Sequence, residues 1–278
     1  MAATVSVSSM FLWDLDPDGI AEVVARAGLE GVELWAETPW YWEGGRQEEQ
    51  AEKIRRALRG LKITLHAPVM DLNPSSYNDL VCRATMEESL RAIDLAGFFG
   101  ADLVTIHPGR RTAKRPAREA EREKLCRYLE ACLEEAEEKG IPLALENLEP
   151  LPWNICAEPE EMGRFLDEFP LLRMTLDISH AVPPISRAVD FAETLGDRIQ
   201  NVHVSATRDG TRHLPSGDGS VDEVLVALRE IGYDGPLTLE LDDKKFPATL
   251  SKRDKVGVLI RERSYLESIW GRFSGSSP

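Results

Sequence analysis

At 278 residues, 42% of them hydrophobic, the chain has ample length for one large core or for two smaller ones. Its formal net charge of −15 repels phosphate backbones, which counts against a nucleic-acid partner. No apolar run approaches the ~20 residues that a membrane span requires, so no membrane role is expected.

In chain order, the opening MAATVSVSSMF has no basic segment followed by an apolar core, so no secretory signal is read there. Strand-like runs follow near 4–9, 31–35, 62–66, 102–107, 142–146, 172–177, 199–204 and 236–240. Between them lie helical patterns near 17–28, 47–60, 79–99, 117–139, 158–168, 185–195, 221–232 and 250–270. MEESLRAIDLAGFFG, for example, repeats its apolar residues at helical spacing and closes on glycine. Gly140 ends the helix before the run that Ile141-Pro142 opens. Cys82, Cys126, Cys132 and Cys156 contain no CxxC pair, and a reducing cytoplasm is the default location. The final SGSSP reads as a disordered tail at 273–278, leaving 1–272 as one domain.

Strands alternating with helices imply a parallel sheet with helical crossovers. Eight such units close into a single-domain α/β structure, a (β/α)8 or TIM barrel, whose active site lies at the C-terminal strand ends. All five histidines, His66, His107, His180, His203 and His213, sit at or just after strand-like runs. Two similar runs end at Glu146 and Glu240. Subtracting residue numbers, His66, His107, Glu146, Asp177, His203 and Glu240 are 41, 39, 31, 26 and 37 residues apart, one strand–helix unit per step. A barrel brings these ends together, whereas an open doubly wound sheet spreads them along an edge.

Glu146, Asp177, His203 and Glu240 make a donor set of three carboxylates and one imidazole. That mixture suits a divalent ion such as Mn²⁺, Mg²⁺, Co²⁺ or Zn²⁺. Each directly follows an apolar residue, where an unpaired carboxylate would be costly and a cation removes the cost. Salt bridges or hydrogen bonds at the barrel mouth are the alternative. His66 and His107 either hold a second ion, bridged by Glu146, or bond a polyol, so one to two ions per chain are expected. His180 and His213 form a further pair beside this ring. Trp13, Trp35, Trp40, Trp42 and Trp153 fall at strand ends or in the following loops, as a sugar-binding wall requires. Trp40-Tyr41-Trp42 reads equally as a lid or a subunit contact, and makes a homodimer an open expectation. Glu33 is read either as support behind the ligands or as a buried hydrogen-bonded group. Arg110, Arg111, Lys114, Arg115 and Arg118 form a solvated loop or, alternatively, a phosphate site.

The segments GVELW (31–35), LHAPVMDLN (65–73), VTIHPG (104–109), LALENLEP (143–150), LDISHA (176–181), HVSATRDGTRHLPSGDGSVD (203–222) and LTLEL (237–241) together resemble the xylose isomerase-like TIM barrels. That superfamily includes sugar and sugar phosphate isomerases and epimerases, and the endonuclease IV family of zinc nucleases acting at abasic DNA. In the epimerase and isomerase branch, the resemblance implies one divalent ion on Glu146, Asp177, His203 and Glu240, with Glu146 and Glu240 as paired acid and base. In the nuclease branch it implies three zinc ions on all five histidines, Glu146, Asp177, Glu240 and a further aspartate. This chain has Thr211 at that last position, and Asp209 is out of register.

The leading expectation is therefore a metal-dependent sugar or sugar phosphate isomerase or epimerase working through an enediolate. Its substrate is expected to touch His66, His107, His180, His213, Arg208, Arg212, Trp13, Trp35 and Trp153. The alternatives are a zinc-dependent AP endonuclease and a metal-binding barrel without turnover.

Overall fold

The computed structural model describes residues 3–42, 48–113 and 119–271. The tail at 273–278, Lys114, Arg115 and Arg118 of the basic tract, and the expected helix starts at 47 and 117–118 lie outside the described residues. The strands are β1 (Thr4–Ser8), β2 (Gly31–Trp35), β3 (Lys62–His66), β4 (Val104–Ile106), β5 (Leu143–Glu146), β6 (Arg173–Asp177), β7 (Ile199–Val204), β8 (Ala206–Arg208), β9 (Thr211–Leu214) and β10 (Pro236–Leu239). β1–β7 and β10 close into a parallel barrel in the order β1-β10-β7-β6-β5-β4-β3-β2. β8 and β9 form a separate antiparallel hairpin beyond β7.

The helices are α1 (Pro17–Ala27), α2 (Glu48–Ala57), α3 (Asp79–Phe99), α4 (Glu119–Lys139), α5 (Pro159–Glu168), α6 (Ile178–Ala181), α7 (Ile185–Leu195), α8 (Asp222–Glu230) and α9 (Lys252–Trp270). Their ends follow local rules. Asp16 accepts from the Gly19 N–H at the start of α1, and Asn78 caps α3 on Leu80. Gly28 and Gly100 close the same helices in the left-handed region. Ser251 and Asp254 form a reciprocal capping box on α9.

The barrel strands are buried on both faces, but the two faces differ in chemistry. One parity carries Val5, Val7, Val32, Leu34, Leu65, Val104, Ile106, Leu145, Leu176, Val202 and Leu239, all in the hydrophobic core with the helices' apolar stripes. The other parity is small or polar. Thr105 on β4 bonds Thr175 on β6 at 2.9 Å, and Asn201 on β7 donates to Glu33 on β2 at 2.9 Å. Neither strand pair is adjacent in the barrel, so these bonds cross its interior. Thr238 adds a third link by donating to Asn201. The interior is thus a hydrogen-bonded polar layer, and the residues two positions further along each strand form the mouth.

Gly31 belongs to this layer for want of space. A Cβ there would lie 2.6 Å from Ser6 Oγ and 2.8 Å from the Lys62 carbonyl oxygen. Gly31→Ala is therefore expected to destabilise the protein by about 1–3 kcal/mol, the usual cost of overpacking. Urea denaturation should show a lower midpoint with an unchanged slope; an unchanged midpoint would contradict this packing.

Candidate metal centre

Register places the donors at one level. Trp35 pairs with His66, and Asp177 with His203, across neighbouring strands. Glu146 pairs with Thr175, two residues below Asp177, so both carboxylates are on the inward parity. Asn147 locks these two strand ends together. Its Oδ1 accepts from the Asp177 N–H at 2.8 Å and its Nδ2 donates to the Asp177 carbonyl at 3.0 Å. Asp177 then caps α6 by accepting from the His180 N–H at 2.9 Å, which brings the His180 ring back over the site.

Glu146 is the hub. One of its oxygens lies 3.2 Å from His66 Nε2, 3.2 Å from His107 Nε2 and 3.5 Å from His203 Nδ1, and the other 3.2 Å from His180 Nδ1. Glu240 approaches His203 Nδ1 at 3.2 Å and His213 Nδ1 at 3.6 Å. Glu33, fully buried, faces the other nitrogen of His203, Nε2, at 3.0 and 3.1 Å. It is buried and hydrogen-bonded by Asn201 and His203, a position from which it would also support His203 as a ligand. Three groups of donors fall within 4.8 Å of one another: His66, His107 and Glu146; Glu146, Asp177, His203 and Glu240; and Asp177, His180 and His213. Glu146 and Asp177 are each shared by two groups.

The hydrogen bonding tests whether a cation fits. His107 Nε2, Asp177 Oδ2, His203 Nδ1 and Glu240 Oε2 are all buried and have no hydrogen-bond partner, although each has an opposite-natured neighbour 3.2–4.0 Å away. His66 Nδ1 donates to the Ala67 carbonyl at 2.8 Å, which turns the Nε2 lone pair toward Glu146. His203, donating from Nε2 to Glu33, likewise turns Nδ1 toward two carboxylates. Lone pairs converging on lone pairs are stable only around a positive charge, and carboxylates with imidazoles suit a divalent ion.

Without such an ion, protons carry that charge. Burial alone would lower the His203 pKa, but Glu240, Glu33 and Glu146 together raise it well above the usual imidazole range. His180 is pushed up to about 10, burial being outweighed by Asp177 and Glu146. Burial would raise Glu146, yet the neighbouring His107, His203 and His180 hold its carboxyl well below the usual range.

Other expected residues stand nearer the rim. His213, at φ 57 on β9, lies 3.5 Å from the hydroxyls of Ser179 and Ser205. Trp35 packs on His66 with ring centroids 5.4 Å apart and meets Trp13 edge-on at 6.4 Å, forming the aromatic wall. Trp153 lies half-buried in the loop after β5, where its carbonyl accepts from the Arg111 N–H. Tyr41 is fully buried beside Trp40, and Trp42 is exposed. The two arginines expected on substrate are both engaged, Arg208 with Asp218 and Arg212 with Glu149 at 2.8 Å. Two functional-looking groups escaped the sequence reading. Asn147 was visible only as part of LALENLEP. Glu37, just past β2, is 3% exposed, accepts from the Met70 N–H and leaves Oε2 without a partner; burial raises its pKa.

The profile of the xylose isomerase-like TIM barrel family matches residues 21–266. The chain belongs to that family. An uncharacterised protein of Methanocaldococcus jannaschii is 32% identical over 269 residues, 95% of this chain and 98% of that protein. The L-ribulose 3-epimerase of a Methylomonas species is 26% identical over 223 residues, 78% of this chain and 75% of the enzyme. The crystal structure of a D-tagatose 3-epimerase-like protein superposes with a TM-score of 0.79 at 27% identity, covering 96% of this chain and 98% of that one.

Glu33→Gln removes the carboxylate that orients His203 in this xylose isomerase-like barrel. Metal affinity is expected to fall about 10- to 100-fold, measured by competition with a chromophoric chelator. An unchanged affinity would remove Glu33 from the site. Because the surrounding carboxylates favour the protonated forms of His180 and His203 in the ion-free protein, binding is expected to expel protons and affinity to rise with pH. Calorimetry in buffers of different ionisation enthalpy should register that release; buffer-independent heats would contradict it.

Proposed function

We propose that the chain is a divalent-metal-dependent sugar isomerase or epimerase acting by proton transfer. The observation that carries this reading is that two buried glutamates, Glu146 and Glu240, flank one imidazole nitrogen, Nδ1 of His203, at 3.5 and 3.2 Å. Glu146, Asp177, His203 and Glu240 would hold the ion. When bound, it supplies Lewis acidity that eases removal of the proton beside a ketose carbonyl. One of the two glutamates takes that proton and the other, or the same one, returns it to the enediolate. Inversion needs delivery on the opposite face, which a pair of carboxylates can provide. His180, whose Nδ1 contacts Asn147 and Glu146, leaves Nε2 for a substrate hydroxyl. Trp35 and Trp13 cover the sugar's C–H surface and exclude water. The epimerase relatives support this class of reaction.

One observation favours a second reading, a zinc nuclease: all five histidines gather into three donor groups that share Glu146 and Asp177. Against it, Thr211 stands on β9 beside His213 where a carboxylate is needed, and Asp209 is exposed at the hairpin turn. The net charge of −15 also opposes a DNA backbone.

Elemental mass spectrometry on untagged protein separates the two. About one exchangeable Mn²⁺ or Co²⁺ per chain supports the epimerase, and two or three tightly held zinc ions support the nuclease. Glu240→Gln is expected to lower turnover of a ketose by about 10²- to 10⁴-fold, the worth of a general acid–base group, while sugar binding survives. Full activity in that variant would sink the proton-transfer role of Glu240.

A further inference from the structure

We infer that Arg110 recognises an anionic substituent of the substrate, so that the natural substrate is an acidic sugar rather than a neutral one. The inference rests on the sugar-directed reading above and names its substrate class. A cavity of about 220 Å³ adjoins the candidate metal centre, and His107, Gly109, Arg110, Glu149, Asn154 and His180 are among the residues that line it.

The backbone that carries Arg110 is built with care on both sides. Asn73 accepts from the Arg110 N–H at 3.0 Å and donates to its carbonyl at 2.7 Å, a two-point clamp on one residue. Arg110 also bridges to Asn154 from the loop after β5. Ser75 donates to the Pro108 carbonyl. Gly109, at φ +76, lets the chain lie against Asn73: a Cβ there would come within 2.4 Å of its Oδ1 and 2.6 Å of Pro74 Cδ.

The side chain so presented is unspent. Arg111, its neighbour, is consumed in structure, donating to the Pro152 and Asn154 carbonyls and pairing with Glu161 at 3.1 Å. Arg208 and Arg212 are held by Asp218 and Glu149. Glu149, the carboxylate in the same cavity, is itself paired with Arg212 and accepts a hydrogen bond from Asn154. Arg110, an exposed residue, alone of these four has a guanidinium with no partner among the described residues. Only Pro108 and Gly109 separate it from His107, three steps or at most about 10 Å of chain. A pentose or hexose chain spans that interval, placing its reacting carbon at the metal centre and a terminal oxyanion on the arginine fork. In a protein of net charge −15, one free arginine on a fixed loop supplies selectivity for such a group.

The test uses the full-length metal-loaded protein with Arg110→Gln and Arg110→Lys. Solvent-deuterium incorporation gives kcat/KM for a neutral ketose, the same ketose with a terminal phosphate, and a matched sugar carboxylate. Wild type should favour one of the anionic compounds. The ratio of anionic to neutral kcat/KM should fall about 10- to 100-fold in Arg110→Gln, and less in Arg110→Lys, which keeps charge without the planar fork. A preference confined to the phosphate ester identifies a sugar phosphate; one confined to the carboxylate identifies a sugar acid. Calorimetric titration with inorganic phosphate and with acetate supplies a readout without turnover. If no sugar reacts but Arg110→Gln weakens anion binding at least about tenfold, the epimerase reading fails and the anion site stands. If neutral sugars are preferred, or if selectivity and anion affinity are the same in wild type and Arg110→Gln, the anion site is overturned.

Discussion

Everything at the mouth of this barrel answers to one electrostatic constraint: Glu146, Asp177 and Glu240 are buried together at the ends of three strands, with Glu33 buried one layer beneath them. Ionised carboxylates in a poorly solvated interior cost several kcal/mol each unless positive charge reaches them. The histidines bring it, as bound protons or as ligands of a shared cation, and the same lone pairs serve both. Asn147 clamps the Asp177 backbone, Asn201 donates to Glu33 and the Ala67 carbonyl accepts from His66 Nδ1, while His107 Nε2, Asp177 Oδ2, His203 Nδ1 and Glu240 Oε2 are left orphaned toward a common centre.

That constraint also accounts for the polar barrel interior. A hydrophobic layer beneath the ligands would leave Glu33 without partners. The threaded bonds Thr105–Thr175 and Thr238–Asn201–Glu33 instead make a polar floor that carries orientation upward to His203. The apolar core is displaced outward, between strands and helices, and the strands read as hydrophobic runs because that outer parity is continuous.

The same ligand residues serve two chemistries in this family resemblance, so the donors alone do not choose between proton transfer and phosphodiester hydrolysis. The surroundings carry the distinction. The β8–β9 hairpin brings His213 to the third donor group but sets a threonine beside it, and it commits Arg208 and Arg212 to carboxylate partners. Arg110, on the loop after β4, has no side-chain partner among the described residues, and Trp35 packs over His66.

Much of this was legible in the chain. Strand and helix positions follow from local periodicity, glycine stops and caps, and the helices observed at Pro17–Ala27 and Asp79–Phe99 fall on their expected spans within a residue. The one-per-unit spacing of His66, His107, Glu146, Asp177, His203 and Glu240 favours a barrel over an open sheet, because strand ends in a closed parallel sheet share one face. Other features depend on contacts between residues far apart in sequence. The β8–β9 hairpin leaves no local signal because its short strands lack an apolar alternation, and α6 is a single turn capped by Asp177. Asn147 and Glu37 acquire meaning only through the loops folded against them, and Arg208, Arg212 and Arg110 look alike until partners are assigned. Residue type and periodicity are properties of the chain and determined the fold and which donors meet at its mouth. Which charges are spent and which remain free is a property of three-dimensional neighbours, and only the tertiary structure decided it.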